Sequence, residues 1–343
     1  MNQRPSVLII YTGGTIGMVE DPVRGTLRPF DFDHILKQVP ELKAFGYHLE
    51  TLSFNPIVDS SNMDPKIWIQ LAEILKEHYD RFDGFVILHG TDTMAYTASA
   101  LSFLLENQYK PVILTGSQLP IGKIRTDGKE NLITAIEIAA KKQNGMALVP
   151  EVCIYFEYRL FRGNRTSKYS AEHFNAFHSP NYPPLAEAGI EIKFNYQSIH
   201  YPALIKDLVI HTQLDNRVGI LKIFPGMSAE YAQCILHNPD IKALVMETYG
   251  AGNASTSPWF LEAIEHAIDQ GKIILNVTQC SAGSVQMGRY DTSLKLLDIG
   301  VISGHDITSE AALAKLMFVL GKETERQKQI ALLQSNISGE ISS

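Results

Sequence analysis

Four polar segments of this chain carry side chains able to act together on an amide. Tyr11-Thr12-Gly13-Gly14-Thr15-Ile16-Gly17 sets two threonine hydroxyls among glycines that let the backbone turn tightly and bring its N–H groups near a ligand. His89-Gly90-Thr91-Asp92-Thr93 displays a hydroxyl beside a carboxylate, and Val58-Asp59-Ser60-Ser61-Asn62 adds a further carboxylate and two serines. Tyr158 to Lys168 is rich in cations: Arg159, Arg162, Arg165 and Lys168. Amide hydrolysis needs a nucleophile, a group to take its proton, and donors for the developing oxyanion. A small amino-acid substrate adds two demands, donors for its α-carboxylate and a carboxylate for its α-ammonium. Ser60 with loop amides meets the first, and Asp92 meets the second.

Each segment taken alone also has plainer readings. The first is equally a simple turn or an anion-binding loop, although it matches neither GxGxxG nor GxxxxGK[S/T] and no lysine follows. Asp92 reads as a helix N-cap, satisfying orphan N–H groups and the macrodipole. Residues 58 to 62 suit ordinary turn chemistry. The cations of 158 to 168 suit a solvated loop, while Lys168 serves as a base only if burial and nearby cations lower its pKa. His173 and His178 are five residues apart, the wrong spacing for one helix face, and no metal-ligand set is expected.

These loops need a scaffold, and the pattern supplies one. Short β-branched runs alternate with amphipathic segments, the signature of an α/β fold with a mainly parallel sheet. Val7–Tyr11, Phe85–Leu88, Val112–Leu114 and Val152–Phe156 read as buried strands. Asp64 before Pro65 predicts a capped helix start with Ile67, Trp68, Leu71, Ile74 and Leu75 on one stripe. A second helix is expected from about Asp92, with Met94, Ala98, Leu101 and Leu105 inward, and a third from about Gly128, with Leu132, Ile136 and Ala139. In open parallel sheets ligands bind beyond the carboxyl ends of strands, where the polar segments fall. The pattern dissolves from about Gly189 to Arg217 and then resumes with Val218–Phe224, Ala243–Met246 and Ile273–Val277. A larger N-terminal domain over 1–190, a linker over 191–216 and a smaller α/β domain over 217–343 are expected. Gly271 suits a left-handed helix stop, and Ser309 suits the cap of the last long helix.

Composition narrows the class. The 343 residues are 45% hydrophobic and 20% charged, too apolar for a disordered chain. Thirty Lys plus Arg against 37 Asp plus Glu leave a net charge of −7, so no basic excess exists to neutralise nucleic acid or anionic lipid. Cys153, Cys234 and Cys280 are far apart, which excludes a disulfide scaffold or a zinc ribbon. The apolar run Val7-Leu8-Ile9-Ile10-Tyr11 is too short for an export signal, and no stretch approaches the ~20 apolar residues of a membrane span. A cytoplasmic protein is expected.

Together the motifs carry a resemblance. Thr12-Gly13-Gly14-Thr15-Ile16-Gly17 with His89-Gly90-Thr91-Asp92-Thr93-Met94 resembles the two signature motifs of the bacterial L-asparaginase family. Asp83 to Ala100, followed by Leu114-Thr115-Gly116-Ser117-Gln118, is similar to the cytoplasmic type I enzymes in particular. Arg162-Gly163-Asn164-Arg165-Thr166-Ser167-Lys168 and Tyr249-Gly250-Ala251-Gly252-Asn253-Ala254 match further family motifs, and the resemblance runs from about residue 6 to about residue 335.

That resemblance implies hydrolysis of L-asparagine to L-aspartate and ammonia, without a cofactor, on two α/β domains. Thr15 corresponds to the threonine that attacks the amide carbon and forms a β-aspartyl ester. Thr91, Asp92 and Lys168 correspond to a second polar triad that supports proton transfer. Asp59, Ser60 and Ser61 correspond to the substrate-binding segment, with Ser60 on the α-carboxylate. Asn253 corresponds to an asparagine supplied by a neighbouring subunit, in homodimers or homotetramers whose sites are shared. Two positions depart from the family. Val19 to Phe30 has no tyrosine where many members use one to relay the proton, and Thr26 stands at about that place. Glu247 stands where some cytoplasmic members use an arginine to bind a regulatory asparagine, and a carboxylate cannot pair with the effector's carboxylate. Rival readings are a broader glutaminase-asparaginase, an amidase subunit acting on charged tRNA, and a catalytically silent amino-acid sensor. The net charge of −7 disfavours the tRNA reading, and the intact nucleophile motif disfavours the sensor.

Overall fold

The computed structural model describes residues 4–20, 27–29, 39–289 and 291–342. The chain divides into two units, residues 1–212 and 213–343. The first contains β1 (Ser6–Tyr11), β2 (His48–Ser53), α1 (Pro65–His78), β3 (Gly84–Leu88), α2 (Met94–Leu104), β4 (Val112–Thr115), α3 (Gly128–Ala140) and β5 (Val152–Phe156), all but β2 where the apolar pattern predicts. Then β6 (Arg159–Arg162), β7 (Ala186–Ala188) and β8 (Ile192–Phe194) complete a sheet of order β8-β7-β6-β5-β4-β3-β1-β2 among the described residues. β1 to β5 are parallel, and β6, β7 and β8 pair antiparallel. Every residue of β3 and β5 is buried, which explains why these strands read as continuous apolar runs instead of alternating ones.

Asp64 caps α1 as expected, its Oδ1 accepting from the amides of Lys66 at 2.8 Å and Ile67 at 3.2 Å. Trp68, Leu71, Ala72 and Leu75 of α1 are buried. α2 is buried nearly all round, because it packs against α1, β5 and the turn Gly163–Arg165. Ile9, Val86 and Ile113 from three adjacent strands form the core with Leu132, Ile136 and Ala139 of α3.

The strand ends matter most for function. Tyr11 lies opposite Ser53 on one side and Leu88 on the other, and Leu88 lies opposite Thr115. Four carboxyl ends therefore stop in one row. The chain passes from β1 to β2 on one flank and then crosses to β3 on the other, so the order reverses at the β1/β3 pair. Such a switch point splays the two following loops apart and leaves a crevice beyond the strands.

Two segments of the stretch expected to be a linker hydrogen-bond into the first unit. Ile192–Phe194 is the edge strand β8, and Val209–Ile210 pairs with Leu105–Glu106. Edge pairing takes only a few residues and leaves mixed polar and apolar side chains exposed, so it left little periodicity to read.

The second unit contains β9 (Val218–Lys222), α4 (Ala229–Leu236), β10 (Ala243–Thr248), α5 (Pro258–Asp269), β11 (Ile273–Thr278), α6 (Asp291–Asp298), β12 (Ile302–Ser303), α7 (Ser309–Lys322) and α8 (Arg326–Gln334). Its parallel sheet keeps the chain order β9-β10-β11-β12. Gly271 takes the left-handed conformation after α5, with φ +92°. Thr308, rather than Ser309, caps α7: it is extended, and its hydroxyl accepts from Ala311 N at 3.2 Å. Ser309 instead donates to Glu247 Oε1 at 2.7 Å. Among the described residues, no helix is long and apolar enough to cross a membrane.

Candidate active site

The loop after β1 is held by its neighbours. Thr12 donates from both its amide and its hydroxyl to Leu88 O at 3.0 Å, and its own carbonyl accepts from Val58 N at 2.7 Å. Gly14, at φ +96°, lies so close to the next loop that a Cβ on it would sit 2.5 Å from Gly90 N. Only glycine permits that approach and that φ. The contact sets Thr15 and Thr91, the residues that follow the two glycines, on facing loops. Thr15 opens a short 3-10 turn, Thr15–Gly17, and is half-buried.

The second loop is tied from the far end of the unit. Lys168 Nζ donates to Thr91 Oγ1 at 2.8 Å and to Asp92 Oδ1 at 2.7 Å. Thr91 Oγ1 in turn donates to Gln118 Oε1 at 3.2 Å. The Lys168 side chain is 16% exposed, whereas Asp92 is 67% exposed, so the carboxylate keeps acceptor capacity facing outward. Asp92 does not cap α2. The helix starts two residues later at Met94, and Thr93, the residue before it, spends its hydroxyl on Ser60 O at 2.7 Å.

Ser60 is buried against the same loop, since a Cβ on Gly90 would meet its Oγ at 2.4 Å. Asp59 and Ser61 beside it are exposed. Asp59 Oδ1 accepts from Ser61 N at 2.9 Å and Ser61 Oγ at 2.5 Å, capping the turn Ser60–Asn62. Those hydrogen bonds hold the Asp59 carboxyl below the usual carboxylate range. Thr15, Ser60, Thr91 and Asp92 thus lie on packed neighbouring loops at the switch point, and Lys168 reaches Thr91 and Asp92 from a separate segment.

The sequence matches the family models for the asparaginase N-terminal domain over residues 6–200 and the glutaminase/asparaginase C-terminal domain over residues 217–333. The chain belongs to the asparaginase family. It is 43% identical to L-asparaginase 1 of Escherichia coli strain K12, over 99% of this chain and 98% of that protein. The crystal structure of L-asparaginase I from Vibrio cholerae matches with a TM-score of 0.89 at 40% identity, covering 99% of this chain and 100% of that one. The thermostable L-asparaginase from Thermococcus kodakarensis matches with a TM-score of 0.88 at 33% identity, covering 98% and 99%. The chain is therefore an asparaginase-type amidohydrolase with the family's mixed α/β architecture.

In this asparaginase the segment delivering Lys168 is not the solvated loop that its cations suggested. Residues 159–162 form β6, and the guanidinium of Arg162 is buried on Glu151, with Nε 2.5 Å from Oε2. Arg162 lies over the Tyr182 ring at 4.3 Å and Arg165 at 5.4 Å, and Arg165 is only 1% exposed. The partner Glu151 sits before β5, far enough in sequence to be invisible to local patterning. Pairing and aromatic faces make burial of the two arginines tolerable, and the chain then enters a short ribbon in which Ser167–Lys168 pairs with Phe177–His178.

Gln118 is a site residue that reasoning from single loops passed over. Its amide N donates to Asp127 Oδ2 at 2.9 Å and its Nε2 to His173 O at 3.2 Å, leaving Oε1 aimed at Thr91. Burial raises the Asp127 pKa, opposed by the amides of Gln118 and Leu119. The signal was present, because Gln118 follows the carboxyl end of β4 as Thr91 follows that of β3.

Asn253 belongs to the second unit. It closes a tight turn after β10, bridging to Tyr249, and its Oδ1 accepts from Thr292 Oγ1 at 2.7 Å. Glu247 on β10 is held by Lys222 Nζ at 3.2 Å and by Ser309. Thr26, expected where relatives carry the loop tyrosine, lies outside the described residues.

Proposed function

We propose that this asparaginase hydrolyses the side-chain amide of L-asparagine to L-aspartate and ammonia through an ester on Thr15. The observation that carries this reading is the hydrogen-bonded run Asp92–Lys168–Thr91–Gln118, which converges on the loop packed against that of Thr15. Thr15 Oγ1 attacks the amide carbon, the C–N bond breaks, and ammonia leaves with the hydroxyl's proton. Thr91 Oγ1 then orients a water that opens the ester, with Lys168 as its proton partner, and Thr15 is regenerated. The outward oxygens of Asp92 take the substrate's α-ammonium, and Ser60 with neighbouring loop amides takes its α-carboxylate. The amidohydrolase family membership supports the reaction class, and the close packing of Gly14 on Gly90 supports the pairing of the two threonines.

The deciding measurement is ammonia release from L-asparagine and from L-glutamine, by wild type and Thr15→Ala, with acid-quenched mass spectrometry of the Thr15 peptide. Release that vanishes in the variant, with an aspartyl adduct in the wild type, is expected. Binding without release would make the chain a sensor. Equal release from glutamine would widen the substrate class, since one methylene is worth only about 1–3 kcal/mol of discrimination. We further propose a homodimer or homotetramer in which the partner's Asn253 reaches the substrate. Sedimentation velocity checks the assembly.

A further inference from the structure

A buried chain of polar groups runs behind the Thr91 loop. Trp68 Nε1 lies 3.0 Å from Thr97 Oγ1, Thr97 Oγ1 lies 2.9 Å from His89 Nε2, and His89 Nδ1 lies 2.7 Å from Gly90 O. All three side chains are interior, at 5%, 0% and 1% exposure. Chemistry sets the direction of the two outer bonds. An indole N–H only donates, and a carbonyl only accepts. Thr97 therefore accepts from Trp68, and a His89 proton sits on Nδ1 and points at Gly90 O. Burial pushes the imidazole pKa down to about 4, so the ring is neutral and Nε2 accepts from the Thr97 hydroxyl.

The peptide held this way, Gly90–Thr91, leads into Thr91, and the adjoining His89–Gly90 peptide packs against Gly14. A Cβ on Gly14 would lie 2.5 Å from Gly90 N and 2.8 Å from the His89 carbonyl carbon, and a Cβ on Gly90 would strike Ser60. Thr91 is the next residue. We propose that His89 is a positioning residue for amide hydrolysis: its Nδ1–H fixes the Gly90 carbonyl and thereby the wall that sets Thr15, Ser60 and Thr91. Trp68 and Thr97 act one step further back by locking the His89 tautomer. The proposal rests on the roles assigned to Thr15 and Thr91.

Two substitutions separate positioning from bulk stability. In His89→Asn the amide nitrogen reaches the place of Nδ1 and can still hold Gly90 O. In His89→Gln the amide extends toward the place of Nε2 and Thr97, and the hold on Gly90 is lost. Both remove one ring from the core, so both lower Tm by similar amounts. Small displacements of reacting groups cost about 100-fold, so His89→Gln is expected to have a kcat on L-asparagine at least about tenfold below that of His89→Asn, with KM within about threefold. A kcat ratio nearer to one, or losses in both that simply follow Tm, overturns the proposal. If neither variant folds, Thr97→Val takes their place, with kcat about fivefold down expected and unchanged kcat counting against. Thr15→Ala is assayed in parallel. If it stays active, the nucleophile assignment fails, while the His89 comparison still reports on whatever group performs the reaction.

Discussion

Lys168 Nζ and Thr91 Oγ1 meet at 2.8 Å across 77 residues of sequence. Thr91 arrives on the loop after β3, Lys168 on a ribbon that follows the buried Arg162 and Arg165. The ammonium's other partner, Asp92, is two-thirds exposed, and ion pairs of that kind contribute only about 0–1 kcal/mol to stability. Folding therefore gains little from bringing these groups together. The arrangement makes sense as chemistry: a cation delivered to a hydroxyl, with a carboxylate left facing outward, where the proposed substrate's ammonium would bind.

That reading sets what loss of each threonine should do. Thr15→Ala removes the nucleophile and is expected to lower kcat by roughly three orders of magnitude or more. Thr91→Val keeps the shape, removes the hydroxyl, and should cost a similar amount. Steady-state ammonia release checks both, and more than about a tenth of wild-type activity in either variant would show that its role is misassigned.

Lys168→Met tests the same cluster from the other side. Thr91 loses its donor and Asp92 its partner, so kcat should fall by about 100-fold or more. Stability should move by less than about 1 kcal/mol, because the pair it breaks is solvent-screened. Urea unfolding beside kinetics makes the comparison; a large drop in unfolding free energy would mean the lysine is structural.

Gly90 predicts a paired effect. Gly90→Ala drives a methyl against Ser60, whose Oγ and Cβ would lie 2.4 and 2.7 Å away. The variant should lose about 1–3 kcal/mol and most of its activity, as overpacked sites do. Adding Ser60→Gly removes both clashing atoms and should restore much of the stability. Activity should stay low, because the hydroxyl proposed for the α-carboxylate is gone. Thermal unfolding of the single and double variants decides it, and a double variant no more stable than Gly90→Ala would refute the contact.

Much of this was legible in the sequence, for identifiable reasons. β1 and β3 to β5 announced themselves because a parallel strand buried on both faces must be apolar throughout. The Asp64–Pro65 start of α1 is a local signal and held. What failed to show was non-local. Arg162 and Arg165 looked solvated because Glu151 and Tyr182, which make their burial tolerable, are not their sequence neighbours. Asp92 looked like a cap because nothing in its own loop points to Lys168. Ser309 looked like a cap for the same kind of reason, its hydroxyl being claimed by Glu247 on strand β10. The register aligning Tyr11, Leu88 and Thr115 is a property of the sheet alone, and it made one site out of separate loops.

His89 also leaves a mark on stability. Its imidazole has a folded pKa near 4 against 6.5 when exposed, with desolvation as the cause. Between those values the unfolded chain binds a proton that the folded one refuses, so stability rises with pH across the window and is lost as pH falls from about 6.5 toward 4. At 1.36 kcal/mol per unit, the loss between pH 7 and pH 4 comes to about 3 kcal/mol. Other groups titrate over the same range, so the wild type must be set against His89→Asn, which has no imidazole there. The variant should start less stable at pH 7 and lose about 3 kcal/mol less on acidification, bringing the two closer together at pH 4. Unfolding free energies by urea at the two pH values provide the comparison. Parallel losses in both proteins would mean that the folded imidazole takes up its proton as readily as the unfolded one, and the neutral Nδ1–H state that orients Gly90 would lose its support.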